Sequence, residues 1–297
     1  MDAFYIILTA SLFSISCGLL GAFLILRKMA MIGDAISHAV LPGIAIGFLL
    51  TGSRASVFML AGAALFGLMT TFIIEFLHKK ARLQTDASIG VTFTTLFAIG
   101  VILISVYAGQ VDLDQECVLY GEIAYVPLNV WISADGVNLG PKALYIAATV
   151  LVINLSFILL SYRRLQLTTF DPAFAASMGM SVALWNYLLM GAVSLTTVAA
   201  FDSVGAILVV ALIVVAPASA YLLTHELKHM LLLTAVMAIF NSIVGYYLAV
   251  YLDGSIAGAM VVISGVTFLL SFIFRKGGRS FFNNSTTKKS APEGALP

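Results

Sequence analysis

The stretch that decides the fold is residues 27–47, RKMAMIGDAISHAVLPGIAIG, where Asp34 and His38 lie in a segment otherwise apolar enough to cross a membrane. A charge near the bilayer centre costs about 2.5–3.5 kcal/mol on insertion scales. Four residues apart on a helix, the two side chains project from one face. A carboxylate oxygen and an imidazole nitrogen provide half of a coordination shell for a divalent transition metal. The alternative is an Asp–His pair that holds two helices together.

The composition of the whole chain is that of a membrane protein. Hydrophobic residues make up 61% of the 297 positions and charged residues 10%, against about 25% charged in an ordinary soluble domain. The net charge of +1 gives no indication of a nucleic-acid partner.

Apolar runs of about 20 residues predict an all-α polytopic membrane protein with about nine transmembrane helices. The sixth and seventh runs meet at residues 201–203, so eight spans is the competing number. The predicted spans are 4–26, 31–50, 56–77, 87–108, 142–162, 184–201, 203–222, 230–251 and 256–274.

The basic residues predict that the N-terminus lies outside the cell and the C-terminus in the cytoplasm. With nine spans, 13 of the 15 basic residues fall on the cytoplasmic side, and only Arg54 and Lys142 fall outside. The 13 are Arg27, Lys28, Lys79, Lys80, Arg82, Arg163, Arg164, Lys228, Arg275, Lys276, Arg279, Lys288 and Lys289.

Two segments fall outside the predicted spans. The outer loop, about 109–141, has an apolar core at 118–127 that favours an interfacial or partly inserted helix, although a solvated acidic loop is the alternative. The transmembrane domain is predicted to cover 1–278. The polar tail at 279–297 is predicted to be disordered in the cytoplasm.

Two prolines interrupt predicted spans. Pro42 lacks the N–H that would bond the His38 carbonyl, so it should kink the second span. Pro217 lies in the seventh span in a comparable way. We expect both positions to act as kinks or gates.

A short cytoplasmic helix is predicted at about 170–180. Asp171 suits the N-cap, Pro172 the first helical position and Gly179 the C-cap. Such a helix exposes three apolar side chains at the inner side of the membrane. It could lie on the lipid or dock into a groove on a partner. The three side chains are Phe170, Phe174 and Met178.

Other polar residues in or near the spans have structural interpretations. Glu75 is expected to be solvated at a cytoplasmic helix end. Three asparagines are expected to bond between helices: Asn154, Asn186 and Asn241. The chain has no Gly-x-x-x-x-Gly-Lys-Ser/Thr pattern. His225, Glu226 and His229 have a metal-like spacing, but they are expected to lie in a solvated cytoplasmic loop, so no catalytic residues are assigned.

Together these motifs resemble one known family, the membrane permeases of ATP-binding-cassette importers for manganese, zinc and iron. The resemblance is carried by GDAISHAVLPG at 33–43, by Phe-Asp-Pro, Ala-Ala and Gly within 170–179, and by 208–223 with Ala-Pro-Ala. It covers about residues 4–275.

The resemblance implies a type II importer-like permease in a prokaryotic inner membrane. Two such permeases, this chain with itself or with a paralogue, would join a cytoplasmic ATPase dimer that carries the ATP. An extracytoplasmic binding protein would deliver the metal. By the same resemblance Asp34 and His38 coordinate the transported Mn²⁺, Zn²⁺ or Fe²⁺, with a lean towards manganese, and no resident cofactor is implied. The segment that would couple to the ATPase comprises Phe170, Asp171, Phe174, Ala175, Met178 and Gly179.

Two other classes of protein remain open from the residues. A stand-alone secondary transporter could use Asp34 and His38 to exchange protons for metal. An intramembrane hydrolase is the other alternative.

Overall fold

The computed structural model describes residues 2–51, 57–107, 123–132 and 138–286, and most of these residues are helical. The helices are α1 (Asp2–Leu26), α2 (Ile32–Ala39), α3 (Leu41–Thr51), α4 (Val57–Lys80), α5 (Thr85–Tyr107), α6 (Lys142–Phe170), α7 (Pro172–Ser177), α8 (Val182–Val204), α9 (Ala206–Leu223), α10 (Leu227–Leu252) and α11 (Ile256–Thr286). A 3₁₀ helix (Ile123–Leu128) and two short strands, β1 (Val130–Ile132) and β2 (Asn138–Pro141), precede α6.

Within the described ranges, eight helical segments are long and apolar enough to cross a membrane. They match eight of the nine predicted spans, with α2 and α3 together forming the second, Ile32–Thr51. The predicted span 203–222 corresponds to Ile207–Leu223, an apolar helix that is shorter than the other eight. The polytopic all-α fold is therefore confirmed.

The shorter helix α9 runs back across the bundle after α8. The chain reverses between α8 and α9 at Gly205, whose φ of 82° is accessible to glycine without strain. The last residues of α9 then line a cavity of about 610 Å³ together with Leu26, at the end of α1. Because Asn186, near the start of α8, also lies at that end of the bundle beside Arg27, α9 returns across the bundle to the level where α8 began.

The second predicted span is interrupted at one residue, Val40, which keeps helical dihedral angles (φ −72°, ψ −23°). α2 ends at Ala39 and α3 begins at Leu41. At the junction the N–H of Val40 donates to the carbonyls of Ile36 and His38. The break follows from Pro42, which has no N–H to offer the His38 carbonyl.

Close helix crossings depend on glycine. A Cβ at Gly21 in α1 would lie 1.8 Å from the carbonyl oxygen of Ile213 in α9. A Cβ at Gly43 in α3 would lie 2.3 Å from the carbonyl oxygen of Gly62 in α4. These pairs bring backbones into direct contact, as small residues commonly do in membrane bundles.

The outer loop differs from the prediction where it is described. Of the predicted interfacial helix, residues 118–122 lie outside the described residues, and Ile123–Leu128 forms a 3₁₀ helix. Ile123 and Val126 are buried, and the 3₁₀ helix packs against α1, α8 and α11. The antiparallel pair of β1 and β2 was not predicted. The described part of this segment therefore packs over one end of the bundle.

Two helices run further than predicted. α6 continues from the predicted end at 162 to Phe170, and α11 continues to Thr286, into the predicted tail; residues 287–297 lie outside the described residues. Each residue added to an existing helix gains a backbone hydrogen bond, so helices extend until a stop signal. For α6 that signal is Pro172, which excludes Asp171 from helical geometry (φ −140°, ψ 78°).

Candidate metal site

Asp34 and His38 lie one turn apart on α2. Asp34 Oδ1 and His38 Nε2 are 3.5 Å apart, and the side chains are 32% and 28% exposed. The rest of α2 is largely buried, including Ile36 and Ser37. Gly33 lets α2 approach α9 so closely that a Cβ there would lie 3.0 Å from Ile213 Cδ1. The packed face fixes the helix, and the acid–imidazole pair stays accessible.

Two aromatic rings of α5 surround the imidazole of His38. The Phe93 ring centroid lies 5.7 Å from that of His38, and the Phe97 ring meets it edge-on at 5.6 Å. These rings restrict rotation of the imidazole. Two phenylalanines in an apolar span have no distinguishing pattern, so these rings could not be predicted from the sequence.

The separation between Asp34 and His38 fits two ligands of one ion. Two ligand atoms that each lie about 2.1 Å from a metal are about 3.0–3.5 Å apart when the angle at the metal is octahedral or tetrahedral. In the described residues no group of three or more His, Cys, Asp or Glu side chains could hold a metal. A metal held by this pair would need further ligands from water, backbone carbonyls, hydroxyls or residues outside the described ranges.

The segment after α6 contains the short helix α7. Asp171 Oδ1 accepts a hydrogen bond of 2.9 Å from the N–H of Phe174 and so caps its N-terminus. At the other end Gly179 has φ +77°, and the N–H of Met180 donates to the carbonyl of Ala175. Both ends of α7 are therefore satisfied by the residues named from the sequence.

One side of α7 is buried and the other is apolar and exposed. Ala175 is fully buried, and α7 packs against α6 and α8. Phe170, Phe174 and Met178 are each more than half exposed. An exposed apolar group of this kind is typical of a contact surface.

Arg27 ties the helix before α7 to the rest of the bundle. Its Nε donates to Thr169 Oγ1 at 3.0 Å, and its Nη2 donates to Thr168 Oγ1 at 3.1 Å. Its Nη1 donates to Asn186 Oδ1 in α8. Burial lowers the pKa of the Arg27 guanidinium to about 10, while the carboxylate of Glu75 acts in the opposite direction. Arg27 remains charged at neutral pH.

The prediction for Glu75 was wrong, whereas that for the asparagines is confirmed. Glu75 is 5% exposed and pairs with Lys79 one turn away. Asn154 donates to side-chain hydroxyls of α1 and α8, and Asn241 accepts from Thr267 in α11. The third, Asn186, accepts from Arg27. Tertiary packing buries Glu75, although the residues after it on α4 are largely exposed, so its carboxylate needs a charged partner.

Pro217 lies inside α9, which continues on both sides of it. The predicted role of this position as a kink or gate stays a prediction.

Comparison with known proteins gives consistent matches over nearly the whole chain. The chain is 50% identical to the manganese transport system membrane protein MntD of Bacillus subtilis, over 91% of each protein. It is 44% identical to the zinc transport system membrane protein TroD of Treponema pallidum, over 91% of this chain and 73% of that protein. It is also similar to the structure of PsaBC from Streptococcus pneumoniae in complex with Fab, with a TM-score of 0.73 and 32% identity over 90% of this chain and 89% of that one.

The model of the ABC 3 transport family matches residues 3–275, which contain the Asp34–His38 pair, α7 and all the described membrane-spanning helices. The chain belongs to the ABC 3 transport family.

Proposed function

We propose that this permease imports divalent transition-metal ions and that Asp34 and His38 bind the ion in transit. The observation that carries the proposal is the pair of ligand atoms 3.5 Å apart on α2, which are partly exposed and have no complete shell of ligands among the residues that the structure describes. An incomplete shell suits transport, because an ion must be held weakly enough to leave. A purely structural Asp–His pair would have no need of the remaining exposure.

Manganese is the favoured cargo, with zinc or iron as alternatives. The support is the 50% identity to a protein named for manganese transport, set against 44% to one named for zinc. One oxygen and one nitrogen ligand suit all three ions. Intrinsic affinity of such a site favours zinc over manganese, so selectivity for manganese must come from geometry and supply.

The energy comes from a separate ATPase dimer that contacts α7. The sequence has no P-loop, and α7 presents an exposed apolar surface with capped ends. We assign this contact to Phe170, Asp171, Phe174, Ala175, Met178 and Gly179. A second permease, either the same chain or a paralogue, and an extracytoplasmic metal-binding protein complete the importer.

The N-terminus is proposed to lie outside the cell and the C-terminus in the cytoplasm. Arg27, Lys79, Arg164 and Arg275 lie towards one end of the bundle, the end that carries α7. Basic residues favour the cytoplasmic side. Single cysteines at positions 56 and 138 should react with an impermeant reagent in intact cells, and those at 84 and 286 should not. Labelling at 286 would contradict the nine-span arrangement.

The decisive experiment is uptake of radioactive manganese, zinc and iron by proteoliposomes that contain the permease, the ATPase and the binding protein. We expect ATP-dependent uptake, greatest for manganese. Uptake that needs no ATPase and follows a proton gradient would instead favour a secondary transporter.

A further inference from the structure

Arg27 lies where α6, α8 and the turn from α1 to α2 meet. Neither the proposed metal binding nor the proposed contact with the ATPase involves this residue. Its guanidinium donates to Thr168 and Thr169 in the last turn of α6 and to Asn186 in the first turns of α8. Thr169 is two residues before Asp171, the N-cap of α7. The three acceptors therefore belong to the two helices that flank α7.

The backbone of Arg27 is connected just as closely to the helix that carries Asp34. The turn from α1 to α2 is compact, with hydrogen bonds from the N–H of Met29 to the carbonyl of Leu24 and from the N–H of Ile32 to the carbonyl of Met29. Lys28 within it adopts φ 59°. A short turn with fixed hydrogen bonds transmits a displacement of one end to the other, whereas a slack loop absorbs it.

A neighbouring carboxylate favours the charged form of the guanidinium. The guanidinium is partly buried, and the buried carboxylate of Glu75 in α4 stabilises its charge. Glu75 is itself fixed by Lys79. An arginine suits this place because its planar fork donates to several acceptors at once, whereas the ammonium of lysine acts as a compact point charge.

We propose that Arg27 is the positioning residue that transmits movement of α7 to α2, and so links events at the ATPase contact to the Asp34–His38 pair. This inference rests on the proposed function. Arg27 binds neither metal nor nucleotide in this scheme; it acts through the two threonines at the base of α7 and through the turn that leads into α2.

The test measures coupling rather than activity alone. Proteoliposomes with the complete complex would be assayed for Mn²⁺ entry and ATP hydrolysis in the same sample. Arg27→Lys should lower the number of Mn²⁺ ions moved per ATP by about fivefold or more, the lower end of typical coupling effects. Thr169→Val, which removes one acceptor, should lower it in the same direction by less.

Arg163→Lys is the matched control, because Arg163 lies on α6 near the same end but is exposed. It should leave the ratio unchanged. A purely structural role for Arg27 would reduce transport and hydrolysis in proportion, as the amount of folded complex falls. An unchanged ratio in Arg27→Lys would therefore overturn the proposal, and absence of ATP-driven Mn²⁺ uptake by the wild-type complex would overturn the proposed function instead.

Hydrogen exchange on the permease alone tests the connection independently of any cargo. Arg27→Lys should speed amide exchange in both 164–177 and 32–39, whereas Arg163→Lys should change neither. Faster exchange in only one of the two segments would show that they are not linked through Arg27, whatever the complex transports.

Discussion

Asp34 and His38 project from a helix of eight residues and, in the described part of the chain, meet no third acidic, histidine or cysteine ligand. Arg27, seven residues earlier, donates to three side chains on two other helices. The side chains of the first region are partly exposed, so their oxygen and nitrogen atoms are available to bind an ion. In the second, each of the three guanidinium nitrogens donates a hydrogen bond, so the group holds its geometry. A transporter needs both kinds of region. Its ion site must release one ion and bind the next, while the helices that move the site must stay connected to one another.

The largest expected effect comes from removing one of the two ligand groups of the Asp34–His38 pair. Asp34→Asn keeps the shape of the side chain but removes its charge, and His38→Ala removes the nitrogen. Each should abolish metal uptake, measured in the reconstituted complex, while expression and assembly with the ATPase stay normal. Ser37 of α2 is buried and bonds the carbonyl of Gly33, so Ser37→Ala serves as a control on the same helix. Normal uptake by either ligand variant would reduce the pair to a structural clamp.

A second large effect should follow from charging the exposed surface of α7. Phe174→Asp places a carboxylate where an apolar contact is proposed, and desolvating a charge in an interface is costly. Membrane insertion should be unaffected, but ATP hydrolysis should no longer drive uptake. Phe174→Leu keeps the surface apolar and should retain most of the activity. Pull-down with the ATPase gives the direct measurement, and normal association and transport by the aspartate variant would refute the assignment.

Disrupting the close packing between α3 and α4 should have an intermediate effect, measured as a loss of stability. Gly43→Ala would place a Cβ 2.3 Å from the carbonyl oxygen of Gly62, and overpacking of this kind typically costs about 1–3 kcal/mol. The thermal unfolding midpoint in detergent should fall. Gly265→Ala is the control, since no atom lies within 4 Å of its Cβ; there the better helix propensity of alanine should leave the midpoint equal or raised. Equal midpoints for wild type and Gly43→Ala would contradict the close crossing.

The smallest expected effect concerns the cap of α7. Asp171→Ala removes the acceptor of the Phe174 N–H, and loss of an N-cap typically costs about 0.5–2 kcal/mol of helix stability. Amide exchange in 172–177 should rise, with a modest loss of coupling. Asp171→Asn retains an acceptor oxygen and should behave almost as wild type. If alanine and asparagine gave the same exchange rates, the cap would be irrelevant to the stability of α7.

The sequence by itself determined the features that depend on local chemistry. Hydropathy located the spans because a helix must bury about 20 apolar residues to cross a bilayer. The i, i+4 spacing placed Asp34 and His38 on one face, and the dipeptide Asp171-Pro172 set both the end of α6 and the start of α7. Each of these depends on residues within one or two turns of one another.

The tertiary structure decided what depends on distant partners. Phe93 and Phe97 beside His38, and Glu75 buried beside the positive charge of Arg27, belong to helices whose mutual packing no local pattern specifies. A charged residue at a helix end looks the same in the sequence whether water or a neighbouring helix surrounds it. Its environment is set by which helices pack against that end, and this packing is a property of the whole bundle.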